Sequence, residues 1–264
     1  CDGTAYDASY FGSTDSVTGE WKINTSPSVT YGTNGFFILK DGNSVTDQSG
    51  EGNDFTVGGG TLTKTEDNPS NVFATGNILL KPHSNITFSN GNNTAAEGGS
   101  DWGSLVSTLG ASGGKYYFEV KLSSGTNCFI GITDEGSIMS TAGTAGFFGK
   151  TSNSYGYKID GTKYNNNSSS AYGNTFTTGD IIGVAVDLDN SNLYFSKNGT
   201  WQNSGNPTSG ATGTGAISIT ATSTVGNYMV GASPNTSTVQ ANFGNGYFGT
   251  TAVSSAGTNA SGNG

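Results

Sequence analysis

The sequence predicts an all-β protein, an antiparallel two-sheet sandwich with an irregular N-terminal lead-in. Three observations carry this. Apolar residues recur in short runs with a period of two, the spacing of a half-buried strand. Gly, Asn, Asp and Ser cluster between those runs, where hairpins turn. Helical periodicity is nearly absent. The single candidate is "DWGSLVSTLG", in which Trp102, Leu105 and Leu109 fall at helical spacing before a glycine, giving at most two turns.

The elements follow in order. Residues 1–75 contain "YGTNGFFILKD", one plausible strand, and a polar loop "DQSGEGND", but no second complete core pattern. They read as a lead-in module packed against the sandwich. In "KYYFEVKL", Tyr116, Phe118, Val120 and Leu122 share one face, and Lys115, Tyr117, Glu119 and Lys121 the other. "CFIGIT" follows after a connection of hairpin length. "YGYKIDGTKY" holds an Asp160-Gly161 step, a two-residue hairpin signal. In "DIIGVAVDL", Ile182, Val184, Val186 and Leu188 form the inward face, "NLYFS" returns, and Asn198-Gly199 turns the chain toward Trp201. "YMVGAS" and "TVQANFG" complete the set. No internal repeat of 20–50 residues is visible. The expected boundaries are 1–75 for the lead-in, 76–248 for the sandwich, and 249–264 for a Gly/Ser/Asn-rich tail leading on to further sequence.

Composition narrows the function. The chain is rich in glycine (43 of 264 residues) yet 11% aromatic, which argues for a packed core rather than disorder. A formal charge of −9 offers no electrostatic footprint for nucleic acid. No run of about 18 apolar residues suggests membrane insertion, and no secretory leader is recognisable. The chain opens on Cys1, and we read it as part of a longer polypeptide. Cys128 alternates with Ile130 and Ile132 and is expected to be a buried small hydrophobe.

The order of the pieces "GKYYFEVKL", "CFIGIT", "YGYKIDGTKY", "GNTFTTGDIIGVAVDLDNSNLYFSKNGT" and "YMVGASPNTSTVQANFG" resembles a SPRY domain over roughly residues 76–248. The run F-x-x-GD-x-IGV-x-x-D, ending in "YFSKNG", carries most of the resemblance. It implies a bent, concanavalin-like sandwich with binding loops at one end. The lead-in segments "DGTAYDASYFGSTDSVTGEWKI", "DQSGEGNDFT" and "NPSNVFATGN" look like parts of structural proteins of marine phages. That second resemblance implies an upstream lectin-like module and a place on a virion appendage.

Candidate sites are sparse. "DLDNSN" starts like a calcium loop, but Asn192 and Asn198 stand where Gly and Glu are needed; a plain turn is the better reading. "DQSGEGND" is a second oxygen-rich loop. "GNGYFG" satisfies G-x-G-x-x-G without opening a helix, so no dinucleotide site is expected. His83 is the sole histidine, and its neighbour Ser84 faces the other way on a strand. Asp134, Glu135, Asp160, Asp180 and Asp187 form no pair that the sequence can assign to glycoside cleavage. No cofactor is implied.

Binding is the better functional reading. "KYNNNSSSAYGN" offers Tyr164, Asn165, Asn166, Asn167 and Tyr172 as a polar, aromatic loop, with Tyr155 and Trp201 as further candidates. Amide groups that both donate and accept, next to aromatic faces, suit sugars and polar peptides. For Trp201, packing at the sandwich edge is favoured over ligand contact. The expected function is non-catalytic recognition of a host-surface glycan or protein by a phage tail or capsid fibre. The alternative is a capsid or tail decoration protein that contacts other virion subunits; homo-oligomerisation is compatible with both. A glycan-degrading enzyme is the third class.

Overall fold

A computed structural model describes residues 1–14, 21–39, 44–60, 73–80, 85–99, 101–134, 136–137, 146–220, 226–254 and 257. The chain divides into two compact units at Phe73/Ala74.

In the first unit β1 (Gly12–Thr14) pairs antiparallel with β2 (Trp21–Ile23). The segment expected to be a strand around Phe36 and Phe37 is irregular over its described part. Its main chain bonds instead to a loop: Gln48 N–H donates to Phe37 O (2.8 Å) and Leu39 N–H to Ser44 O (2.9 Å). Asp47 organises that loop. Its carboxylate accepts from the amides of Phe37 (2.8 Å), Ser49 (2.9 Å) and Asn53 (3.0 Å) and from the Ser49 hydroxyl (2.6 Å). The donors occupy the lone pairs that a calcium ion would need.

The second unit begins with β3 (Ile86–Ser89), β4 (Thr94–Glu97), β5 (Leu105–Ala111), β6 (Lys115–Gly125) and β7 (Cys128–Thr133). The hairpin strands β8 (Ser154–Lys158), β9 (Thr162–Asn165) and β10 (Ser168–Ala171) follow, then β11 (Ile181–Asp187), β12 (Asn192–Lys197), β13 (Thr200–Trp201) and β14 (Ile217–Ser218). It closes with β15 (Tyr228–Pro234), β16 (Ser237–Asn242), β17 (Tyr247–Phe248) and β18 (Thr251–Ala252). Two antiparallel sheets dominate. The smaller has the order β10-β9-β8-β7-β15-β5; the larger has β13-β12-β11-β6-β16-β4-β3, with β14 also on β12. The predicted sandwich is therefore present.

The core lies between the sheets. From the larger come Phe118, Val120 and Leu122 of β6 and Ile182, Val184 and Val186 of β11; from the smaller come Cys128, Ile130, Ile132 and Tyr157. The alternation read in β6 and β11 sets these faces. Cys128 is fully buried, and burial pushes its thiol pKa up. Asp160 and Gly161 turn β8 into β9, with Gly161 at φ +88°.

Three expectations need correction. Residues 105–111 form a strand, not a helix, because their main chain pairs with β15 and Leu105 and Val106 are buried; tertiary pairing overrides a weak periodicity. β6 and β7 belong to different sheets, so the short link between them crosses the sandwich rather than closing a hairpin. Tyr116 lies at the sheet's end and is half exposed rather than inward.

Candidate functional site

The outer face of the smaller sheet has a floor without side chains. Strand register places Gly231, Gly131 and Gly156 side by side, followed by Tyr164. The segment Phe147–Gly149 lies against this row. A Cβ on Gly156 would collide with Phe148 O and come within 3.0 Å of Phe129 Cδ1. Main-chain amides fix the segment: Phe148 N–H donates to Ser233 Oγ (3.2 Å) and Gly149 N–H to Ser154 Oγ (2.9 Å).

An aromatic cluster is built on this floor. Phe129 and Phe148 are buried with Val106 and Met229 as a second small core. Phe147 stacks on Phe129 at 4.5 Å and 11°, and Trp102 lies 4.9 Å from Phe129 and 5.4 Å from Phe147. Tyr164 meets both phenylalanines edge-on, at 5.0 and 5.7 Å. Trp102, Phe147 and Tyr164 remain partly exposed. Lys150 Nζ stands 5.4 Å from the Phe147 ring, and Lys158 Nζ 5.8 Å from Tyr164.

The loop that presents Trp102 is held from below. The buried Glu97 carboxylate accepts from Gly99 N–H (2.9 Å) and Thr236 N–H (3.2 Å). Asn235 Nδ2 donates to Asp101 O (2.9 Å), and Gly103 N–H to Pro234 O (2.8 Å). The result is a preformed apolar patch with two cations at its rim. It can take up side chains of a partner and hydrogen-bond or ion-pair at its edge.

Of the residues singled out in the sequence, only Tyr164 belongs to the cluster. Asn165 is scaffold: its Nδ2 donates to Ser152 O (2.8 Å) and Ser154 O (2.9 Å). Asn166 and Asn167, at φ +51° and +57°, make the β9–β10 turn. Their amides bond to Thr151 O (3.0 Å) and Gly149 O (2.9 Å), which fastens the turn to the segment carrying Phe147. The side chains of both face solvent.

Tyr155 and Tyr172 are core residues, a correction to their reading as surface aromatics. Tyr155 shares the inward face of β8 with Tyr157, and its hydroxyl accepts from Thr220 N–H (3.0 Å). Tyr172 packs on Tyr157 and Phe195, and its hydroxyl donates to Gly215 O (3.3 Å). Trp201 lies in β13 of the other sheet. Sequence reasoning missed Trp102, Phe129 and Phe147. The available signal was "GFFGK", two adjacent aromatics between glycines, one of which must face outward.

The catalytic alternatives gain no geometry. His83 and Glu135 lie outside the described residues. Among the described residues no group of three or more His, Cys, Asp or Glu could hold a metal ion. Asp160, Asp180 and Asp187 each serve their own turn. Asp187 accepts from Asn190 N–H (3.0 Å) and Nδ2 (2.9 Å) and pairs with Lys115 at 3.3 Å. Asp180 accepts from Asn198 Nδ2 (2.7 Å) and pairs with Lys197 at 3.1 Å.

In both carboxylates burial raises the pKa, but these donors and lysines outweigh it and leave the value lowered. A lowered folded-state pKa adds stability above the unfolded value, about 4 for Asp, which is lost as pH falls through the folded value. Urea midpoints of the sandwich should therefore drop as pH is taken from 6 toward about 3. Asp187→Asn should shrink that drop, and an unchanged slope in this variant would refute the assignment.

Comparison with known proteins agrees with the fold. Residues 115–244 match the SPRY domain family. The ATP-dependent RNA helicase DDX1 of Xenopus laevis is 35% identical over 99 residues, 38% of this chain and 12% of that protein. Ran-binding protein 9 and Ran-binding protein 10 of Danio rerio are each 40% identical over 91 residues, 33% of this chain and 14% of theirs. The chain thus spans about one-seventh or less of these relatives' lengths. The match to the SPRY domain family runs from β6 to β16, in keeping with the two-sheet sandwich.

Proposed function

We propose that this chain is a non-catalytic recognition module that holds a partner protein through the Trp102–Phe147–Tyr164 patch. The carrying observation is the interlocked, partly exposed aromatic cluster framed by Lys150 and Lys158. Aromatic surface kept rigid and open to water is the kind of surface that a partner covers. The similarity to proteins named for binding Ran supports a protein as ligand.

The proposal extends to the biological setting. The resemblance of the N-terminal segments to phage structural proteins supports a place on a virion appendage, a tail or capsid fibre. There the ligand is a host-surface protein or glycan, and many copies raise avidity. Gold-tagged antibody against the chain should label the tail or fibre tips of purified particles; absence from particles overturns the virion setting. The labelled chain should bind host envelopes, and protease or periodate pretreatment separates protein from glycan. Phe147→Ala with Tyr164→Ala should weaken that binding about tenfold or more, and undiminished binding removes the patch.

One observation favours the decoration reading as second. β10 (Ser168–Ala171) is an edge strand, exposed throughout and free of charge or proline, so it lacks two common guards against strand addition. Concentration-dependent sedimentation that a Ser169→Pro variant abolishes would support it.

A further inference from the structure

The outer face of the larger sheet carries a separate exposed constellation. Register lines up Trp201, Ser196, Gly183, Glu119 and Asn242 across five strands. Tyr117 leans over Gly183: a Cβ there would collide with its hydroxyl and lie 3.0 Å from its Cε2. The ring is fixed although the residue is 53% exposed, because Tyr117 Oη donates to Glu119 Oε1 at 2.8 Å. Asn242 Nδ2 donates to the other carboxylate oxygen at 3.3 Å. Trp201 stands 6.3 Å from Tyr117 at 69°, with the buried Tyr194 behind it at 6.4 Å.

We propose that this face binds a guanidinium group, the arginine side chain of a partner protein. Each Glu119 oxygen accepts one hydrogen bond from within the chain and keeps lone pairs for another. Among the described residues no lysine is ion-paired with Glu119, although Lys121 lies two residues along the same strand. A carboxylate without a cation, beside two aromatic rings, in a chain of charge −9, selects a positive ligand.

Shape then selects among cations. A planar guanidinium stacks on a ring and presents paired N–H groups to a carboxylate; an ammonium is compact and more strongly hydrated. A neutral sugar could use the rings but leaves the charge unanswered. A second copy of the chain cannot supply the group, because all ten of its basic residues are lysines. The site is on the opposite sheet from the Trp102–Phe147–Tyr164 patch, so it does not depend on that reading.

The test is a titration of the full 15N-labelled chain with a short Gly/Ser peptide bearing one arginine. Matched peptides carry citrulline or lysine instead, and methyl glucoside is the sugar probe. The arginine peptide should shift the Trp201 indole N–H and the Gly183 amide saturably, with an affinity on the order of millimolar. The citrulline peptide and the glucoside should bind at least about tenfold more weakly. Glu119→Gln, which keeps an acceptor for Tyr117, should abolish the arginine response. Phe147→Ala should leave it intact. Equal response to citrulline, stronger response to lysine or glucoside, or persistence in Glu119→Gln would overturn the assignment, as would absence of any saturable shift.

Discussion

Replacing Tyr157 by alanine is expected to destabilise the sandwich by about 3–5 kcal/mol, the cost of deleting a large buried ring that its surroundings cannot refill. Tyr157 is fully buried on β8, 5.2 Å from Phe195, 5.5 Å from Phe176 and 5.7 Å from Tyr172. These rings come from β12 and from the β10–β11 connection, both fixed by their own packing, so no single side chain can move into the space. The Tyr157 hydroxyl donates to Asn174 O, and truncation leaves that carbonyl without its partner. Tyr157→Phe separates the two contributions. It keeps the rings and loses only the donor, for about 1 kcal/mol. Burial pushes the phenol pKa up, so the hydrogen bond should persist into alkaline solution. Urea unfolding followed by near-UV dichroism measures both variants. A loss below about 1 kcal/mol for Tyr157→Ala would show that the ring does not organise the core.

The second large effect is expected at Gly156. A methyl group there meets Phe148 O, a main-chain atom that cannot swing aside, and the edge of Phe129. The Phe147–Gly149 segment must lift from the sheet or the strands must part. Overpacking of this kind costs about 1–3 kcal/mol or more. Gly156→Ala should thus lower the unfolding midpoint and disturb the surroundings of Trp102 together, which its fluorescence reads. Gly98→Ala is the control: a Cβ at Gly98 meets nothing within 4 Å, and its stability should stay within about 0.5 kcal/mol of the parent. Equal effects at both positions would refute the steric argument.

Much of the sandwich was legible because its signals are local. β6 and β11 announce themselves by alternation, and Asp160-Gly161 marks its own turn. The division into sheets was not legible. The chain between β6 and β7 is short enough for a hairpin, and only the pairing of β7 with β8 and β15 shows that it crosses. β5 was hidden for a similar reason, since its partner β15 lies more than a hundred residues away. The candidate site was the least legible part. Tyr164 was found because it stands beside a polar turn. Tyr155 was misplaced although its period-two spacing from Tyr157 already points both inward. Trp102 and Phe147 come from separate loops, and nothing in either loop reveals that Phe129 brings them together.

The row of Gly231, Gly131 and Gly156 divides labour between stability and adaptation. A Cβ would meet a main-chain oxygen at each position, Leu105 O at Gly231, Tyr155 O at Gly131 and Phe148 O at Gly156, so any larger residue there strains the sheet or the segment crossing it. The rim formed by Trp102, Phe147, Tyr164, Lys150 and Lys158 has no such lock above it. A lineage carrying this domain could therefore change what it recognises by substituting the rim while inheriting the floor intact, and two related chains with different partners should differ at the former and agree at the latter.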